Sequence, residues 1–460
     1  MYHSIGKDGL NIMEIVSAVG GEAHNIRDDI QVYNICTDTR ADVKGSLFVA
    51  LKGEKYDGHT YISDAFAKGA AACVCQRCPA DDVPFIKVDS TLEALGKIAM
   101  LYRGKFDLPV VAVTGSVGKT TTKEAICAAI SPHFSVCKTE KNFNNEVGLP
   151  QTILSLTSDH GAAVIEMGMV ERGEISNLSR ITHPTIAVIT NIGTSHIGHL
   201  GSRENIFLAK SEITDGLCDG GTLIVNGDDD MLRRAANPRG DVVFVGIENA
   251  ECDFCAKNVK ETAGGVSFDV KHGNTTINDI FFPSLGRHSV YAALFAVACA
   301  TVLGVSDDEM RRGLTLYRPV EMRQNIVQCG DFTKIVDCYN ASPESMRAGI
   351  DVLLSEAKGR GGRSVAVLGK MHELGDFSPM LHKQTGAYAA RADVVMIFGD
   401  SDDAKNLANG AISAGREPIM LGNDIEKAAQ IIRSSIVRGD VILIKASRAE
   451  RLERLAERIK

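Results

Sequence analysis

The sequence contains no tryptophan, so movement between its parts has no native indole to report it. It has no basic excess: 58 acidic residues stand against 50 basic ones, giving a net charge of −8 and a pI near 5.9. That excludes the basic face with which nucleic-acid binders neutralise phosphates. No apolar run is long enough for a bilayer; the longest, residues 291–305, falls short of the roughly 20 residues a spanning helix needs. The opening stretch MYHSIGKDGL lacks the charged-then-apolar pattern of an export signal, so a cytoplasmic protein is expected. Internal repeats and low-complexity tracts are also missing, which excludes solenoids and disordered arrays.

What is present supports a large folded chain. Of 460 residues, 44% are hydrophobic, and at about 150 residues per domain the length predicts three domains. The twelve cysteines include two C-x-x-C pairs, Cys75/Cys78 and Cys252/Cys255. A zinc ribbon places its second pair roughly 15 to 20 residues after the first, whereas these pairs fall in different segments without a histidine at ligand spacing. They read as ordinary thiols, and a reducing cytosol disfavours disulfides.

Texture divides the chain. Residues 1–104 hold short alternating stretches such as 45–51, then a helical pattern over 90–102. Glycine and proline within 104–109 mark a boundary. Beyond it, apolar strands at 110–113, 162–165, 185–189 and 222–225 alternate with helical periodicity at 119–130, 206–217 and 290–303. Strands apolar throughout suit a parallel sheet covered on both faces. A second boundary falls near Leu316-Tyr317-Arg318-Pro319. The remainder predicts strands at 334–336, 364–368, 394–398 and 441–444 and helices at 343–354, 381–391, 425–435 and 449–459. The expected fold is α/β in three domains: a small N-terminal α/β domain (1–105), a central doubly wound parallel-sheet domain (106–317) and a C-terminal Rossmann-like domain (318–460).

The loudest local signal is Thr114-Gly115-Ser116-Val117-Gly118-Lys119-Thr120-Thr121. An apolar strand enters a glycine turn that opens a helix, and the backbone N–H groups there form an anion cradle. Lys119 reaches toward the β- and γ-phosphates of ATP and the Thr120 hydroxyl toward Mg²⁺. Val113 replaces the first glycine of the strict phosphate-loop pattern. Glu166 ends the strand at 162–165, and a carboxylate at that end of a parallel strand faces the crevice where such folds bind ligands and offers Mg²⁺ a hard oxygen donor. Thr190-Asn191-Ile192-Gly193-Thr194-Ser195-His196 follows the next strand, and Lys210 lies on the helix after it. Singly, each has a bland reading: a capping glutamate, a surface histidine, a solvated lysine. Their order behind a phosphate loop raises them above it.

That order, with Thr37-Asp38-Thr39-Arg40, Asn142-Phe143-Asn144-Asn145-Glu146-Val147-Gly148, Tyr339-Asn340-Ala341-Ser342-Pro343, Leu368-Gly369-Lys370-Met371-His372-Glu373-Leu374-Gly375 and Lys445-Ala446-Ser447-Arg448, resembles the ATP-dependent Mur ligases of peptidoglycan synthesis nearly end to end. The resemblance implies a nucleotide-sugar-binding first domain, with Thr39, Arg40, Lys52, Gly53, Asp57 and His59 as its substrate residues. It implies ATP binding by residues 114–121 with Asn145, His288, Arg323 and Asp337. Two Mg²⁺ ions would be held by Thr120 and Glu166, and by His196 and a carbamylated Lys210; Lys119, Glu166, His196 and Lys210 would be catalytic. A carbamate would offset the charge of two cations that an ammonium would oppose. Tyr339, Asn340, Ser342, Lys445, Ser447 and Arg448 would meet the incoming substrate.

Within the family, Tyr339-Asn340-Ala341-Ser342-Pro343 favours the dipeptide-adding branch, whose partners are a UDP-N-acetylmuramoyl tripeptide and D-alanyl-D-alanine; a monomer is expected. Hinges are expected near residues 105 and 317. The weighed alternatives are a relative adding one amino acid or glutamates to folate, and a non-catalytic nucleotide-binding module. Ser289 and Ala292 replace two asparagines of the family's base-side pattern, Ala446 replaces a glycine, and Lys370 stands where an acidic residue is common. Asn237-Pro238-Arg239 resembles an amino-acid-recognition motif of related ligases but reads as a surface turn.

Overall fold

The computed structural model describes residues 2–4, 9–53, 56–79, 82–262 and 264–459. Met1 and residues 5–8, part of the stretch read for an export signal, lie outside the described residues. Among those described, the strands form three large sheets of six, nine and six strands and one two-stranded ribbon.

In the first segment, Asn34–Cys36, Leu47–Val49, Ala72–Cys75 and Phe85–Lys87 pair in parallel, while Tyr2–Ser4 and Glu22–His24 close the two edges antiparallel. The helix Thr91–Arg103 leaves this sheet, capped by the Ser90 side chain. The expected hinge near residue 105 is strapped: the buried Arg103 guanidinium donates to the carbonyls of Thr182, Phe106 and Leu108 at 3.0, 2.7 and 3.2 Å. The link to the third segment differs, for Met322 and Gln324 there hold φ of 60° and 52°.

The central sheet runs in the order Val136–Lys138, Ala162–Glu166, Val110–Thr114, Ile186–Ile189, Thr222–Asn226, Val242–Gly246, all parallel. Its four middle strands are apolar because helices cover both faces. The chain leaves Val110–Thr114 toward one neighbour and returns to the other, so a crevice opens at the strand ends between them. The helix Lys119–Ile130 has the expected bounds; the 206–217 pattern resolves into Arg203–Ser211 and a 3₁₀ turn, Glu212–Thr214.

The sequence predicts a parallel sheet here, and the sheet departs from that at its far edge. Phe254–Thr262 adds one more parallel strand, and Gly265–His272 and Thr275–Phe282 then fold back antiparallel. These strands are half exposed and polar, so the continuous apolar runs that marked the others are missing. One carboxylate bolts two irregularities: Asp269 accepts from Asn258 Nδ2 at 2.7 Å and from the Asp279 N–H at 3.0 Å, and both partners have positive φ. Cys252 and Cys255 lie buried at the start of this meander, and Cys75 is buried while Cys78 is exposed.

The third sheet pairs Asn325–Cys329 antiparallel to Phe332–Asp337, followed in parallel by Val441–Lys445, Ser364–Leu368, Val394–Phe398 and Ile419–Gly422. The helix Pro343–Arg360 starts where Ser342 caps it and proline fixes its first turn, and stops at Gly361 with φ 68°. The pattern at 449–459 resolves into Arg448–Glu450 and Glu453–Arg458, because Arg451 turns left-handed between them. One contiguous apolar cluster runs from Leu10 through Ala112 to Leu443, joining all three segments.

Candidate active site

A cleft of about 770 Å³ opens at the carboxyl ends of the central strands, lined from Leu92 of the first segment to Lys445 of the third. Register dictates its floor. Val113 lies opposite Glu166 on one side, and Thr114 opposite Ile189 on the other. The phosphate loop, the carboxylate and the loop from Thr190 to His196 therefore converge.

One backbone bond, from the Ser116 N–H to the Asn191 carbonyl at 3.0 Å, holds the loop, and side chains do the rest. Asn191 accepts from the Val117 N–H and donates to the Val117 carbonyl, both at 3.0 Å. Ser116 Oγ accepts from the Gly193 N–H at 2.9 Å. Gly115 tolerates no side chain: with φ 149°, a Cβ would stand 1.8 Å from Thr190 Oγ1. Thr114 sits beneath, its hydroxyl donating to the Met167 carbonyl at 3.0 Å. Lys119 Nζ donates to the Gly115 carbonyl at 2.8 Å. Burial lowers the Lys119 pKa, and Glu166 partly offsets this.

Glu166 is buried, accepting from Thr120 Oγ1 at 2.8 Å and from Asn144 Nδ2 at 2.9 Å. A hydroxyl and a carboxylate beside a phosphate cradle are hard oxygen donors, and this donor set fits Mg²⁺. Lys210 is 1% exposed, and among the described residues neither hydrogen bond nor ion pair reaches its Nζ. Burial and the neighbouring Lys119 charge pull it well below the usual lysine range. A buried amine whose charged form is disfavoured suits the carbamate the family resemblance implies. His196 lines the cleft, its Nδ1 2.6 Å from Glu373 Oε2.

On the third-segment wall, Arg323 stacks on Tyr339 at 4.3 Å, and among the described residues its buried Nε has no hydrogen-bond partner, which leaves it open to an anion. Lys445 donates to Asp337 Oδ2 at 2.8 Å and to the Asn340 carbonyl at 3.0 Å, so these two expected contacts pair with each other. Asn145, Thr121, His288, Tyr339, Asn340 and Ser342 also line the cleft; Asn145 caps the turn into Gly148–Ile153.

Ser447 and Arg448 do not line it. Ser447 Oγ accepts from the His372 N–H at 2.9 Å, and Arg448 pairs with Glu453. Ala446 is buried in the core against Gly369, away from the cleft. Lys370 pairs with Asp403 at 2.7 Å. Ser289 spends its hydroxyl on Leu285 and Ser284, while Ala292 faces the cleft.

Thr39, Arg40, Lys52, Gly53, Asp57 and His59 all lie in the first segment and are not among the residues lining this cleft. Asp38 holds Arg40 at 2.6 Å, Asp57 binds His59 Nδ1 at 2.6 Å, and the backbones of Lys52 and Asp57 pair antiparallel. Lys68 reaches the Thr39 carbonyl at 2.8 Å, and the Gly53 N–H donates to Tyr56. Asn237-Pro238-Arg239 is a turn in which Asn237 Oδ1 accepts from the Arg239 N–H at 3.0 Å. Residues without an assigned role in the sequence reading now have contacts. Asn144 and Asn191 belonged to quoted motifs; Glu344 carried no signal, because its partner Thr194 is 150 residues away.

Comparison with known proteins agrees with this layout. The model described as "Mur ligase family, catalytic domain" matches residues 31–103, "Mur ligase middle domain" 113–300 and "Mur ligase, glutamate ligase domain" 322–448. A Bacillus subtilis UDP-N-acetylmuramoyl-tripeptide–D-alanyl-D-alanine ligase is 36% identical over 97% of both chains. A MurF crystal structure from Acinetobacter baumannii superposes with a TM-score of 0.88 at 30% identity, covering 97% of this chain and 98% of that one. The MurF ligase of Thermotoga maritima in complex with ADP gives 0.83 at 29% identity over 92% and 96%. Tiled by these models and matched along its length by such relatives, the chain belongs to the Mur ligase family.

Proposed function

We propose that the chain joins D-alanyl-D-alanine to a UDP-N-acetylmuramoyl tripeptide, converting ATP to ADP and phosphate. The observation that carries the ATP chemistry is the convergence of Lys119, Thr120 and buried Glu166 on one cleft; the substrates follow from the full-length likeness to ligases of that name.

The terminal carboxylate of the tripeptide attacks the γ-phosphorus, an O–P bond forms and ADP leaves, giving an acyl phosphate. The free amine of the dipeptide then adds to the acyl carbon. The tetrahedral intermediate collapses, phosphate departs with the bonding pair, and the amine proton passes to solvent. A carboxylate approaching a polyanion needs positive charge placed in advance. Lys119 supplies it from the loop, and Arg323 from the opposite wall. Thr120 and Glu166 would hold one Mg²⁺, and His196 with Lys210 a second; the ions would neutralise phosphate charge. In the carbamate, Lys210 Nζ would have bonded to the carbon of CO₂ with loss of a proton, offering an oxygen donor in place of an ammonium.

Asp337 and His288 serve the nucleoside side with Asn145, and Tyr339, Asn340 and Ser342 the dipeptide. Thr39, Arg40, Lys52, Gly53, Asp57 and His59 hold the nucleotide sugar. In this reading residues 1–105 present the acceptor, 106–317 bind ATP, and 318–460 close over both, excluding water that would hydrolyse the acyl phosphate. The cleft draws its lining from all three segments of one chain, which supports a monomer, and substrates such as ATP and a nucleotide-linked precursor support action in the cytoplasm.

The test is phosphate release from ATP and Mg²⁺ with UDP-muramoyl tripeptide, with and without D-alanyl-D-alanine. Release requiring both, with the pentapeptide product seen by mass, is expected. Release with a different amine only would overturn the substrate assignment.

A further inference from the structure

The contact between the central and third segments is unusually close at one place. The Gly198 N–H donates to the Glu373 carbonyl at 3.1 Å. A Cβ on Gly198 would stand 2.6 Å from the Gly375 nitrogen, and one on Gly375 2.8 Å from Gly198 Cα. Two backbones thus meet where no side chain fits between them. At this meeting point stand two residues in left-handed conformations that non-glycine residues rarely adopt: His196 with φ 63° and Glu373 with φ 64°. Such strain persists only where the surroundings enforce it, and it gathers at working sites. Their side chains meet too, His196 Nδ1 lying 2.6 Å from Glu373 Oε2.

A second carboxylate fastens the same loop. Glu344 Oε1 accepts from the Thr194 N–H at 2.8 Å and from its hydroxyl at 3.0 Å. The loop carrying His196 is therefore anchored twice to the third segment, each time through an acidic side chain.

We propose that Glu373 is a positioning residue for His196, supplied across the segment boundary, so that the imidazole is oriented toward the phosphate end of the cleft only when the two segments are in contact. The contact is one of charge rather than an aligned hydrogen bond: among the described residues Nδ1 is buried with no hydrogen-bond partner, and with the carboxylate beside it Nε2 is the nitrogen left for the cleft. A carboxylate behind a histidine fixes its tautomer and ring plane, and removing such a partner weakens metal affinity about 10–100-fold. Closure and metal affinity become one equilibrium: metal and nucleotide favour the closed arrangement by as much as the closed arrangement favours them. The inference rests on the proposed metal-side role of His196.

The experiment is a Mn²⁺ titration followed by electron paramagnetic resonance, on the full chain with ADP and UDP-muramoyl tripeptide. The variants are Glu373→Ala, Glu373→Gln and Glu373→Asp. Aspartate tolerates the left-handed backbone but falls one methylene short, which guards against a variant that fails to fold; thermal melting checks each. Alanine and aspartate are expected to weaken one Mn²⁺ site about 10–100-fold, with partial recovery in glutamine, which keeps the side chain's length beside Nδ1 and removes only its charge. In a His196→Ala background the same Glu373 changes should add nothing. Unchanged Mn²⁺ affinity in all three variants would overturn the proposal. So would an equal loss with and without His196, because Glu373 would then act on closure alone. A chain that holds Mn²⁺ yet releases no phosphate with the dipeptide would count against the proposed substrates, and Glu373 would still be judged by the titration.

Discussion

Two helices beside the phosphate cleft each bury a lysine, and they treat it in opposite ways. On Lys119–Ile130, Lys123 is 2% exposed and fully occupied: its Nζ donates to the Thr139 carbonyl at 2.6 Å and pairs with Glu124 at 2.9 Å. On Arg203–Ser211, Lys210 is equally hidden, and among the described residues no hydrogen bond or ion pair reaches its Nζ. The first is a cation built into the scaffold. Thr139 also accepts from the Glu166 N–H at 2.9 Å, so Lys123 steadies the strand end carrying the metal-side carboxylate. The second pays burial without recompense, as groups reserved for chemistry do. A buried charge that is satisfied speaks for architecture, and one left wanting speaks for a ligand or a modification.

Substitution should separate the two. Lys210→Ala is expected to lower phosphate release by at least about 100-fold, with a melting temperature no lower than that of the native chain, because an unpaired buried amine has been removed. Isotope-labelled bicarbonate should give a carbamate carbon resonance in the native chain and none in this variant. Lys119→Ala should cost catalysis on a similar scale while leaving stability intact, read by the same assay and urea unfolding. Lys123→Met should invert the pattern: about 1–3 kcal/mol of stability lost, because the Thr139 carbonyl and one Glu124 contact go unmet, with a smaller fall in kcat through Glu166.

The smallest effect is a pH slope. Burial pushes the Glu124 carboxyl up, but Lys123 and then Lys138 outweigh it, so its pKa lies below the usual value. A group with a depressed folded pKa contributes stability that is full above its unfolded pKa of about 4.3 and is lost as pH falls through the folded value. Acid unfolding of Lys123→Met should show a shallower loss over that range. An unchanged slope would mean that Lys138 alone holds Glu124.

The sequence spoke clearly where one strand decides its own burial. Val110–Thr114, Ser364–Leu368 and Val394–Phe398 are apolar at nearly every position, and they lie where the pattern puts them. It spoke less where strands are half wet: Phe254–Thr262 buries only its first three residues and is polar and largely exposed after them. The helix Asp402–Ser413 hides behind the acidic residues of its first turn. Of the site, the glycine turn and Glu166 were legible because chemistry and strand end coincide. Glu373 was visible only as one letter of a motif, since its meaning arises when another segment comes to meet it.

The meander at the far edge of the central sheet has its own consequence. An outermost strand offers unpaired N–H and C=O groups to any second chain that aligns with it. Thr275–Phe282 is such a border, and the irregularity that Asp269 bolts at Asp279 breaks its line. A kinked, charged border is a poor template, so crowded nascent copies are denied a straight rail on which to stack.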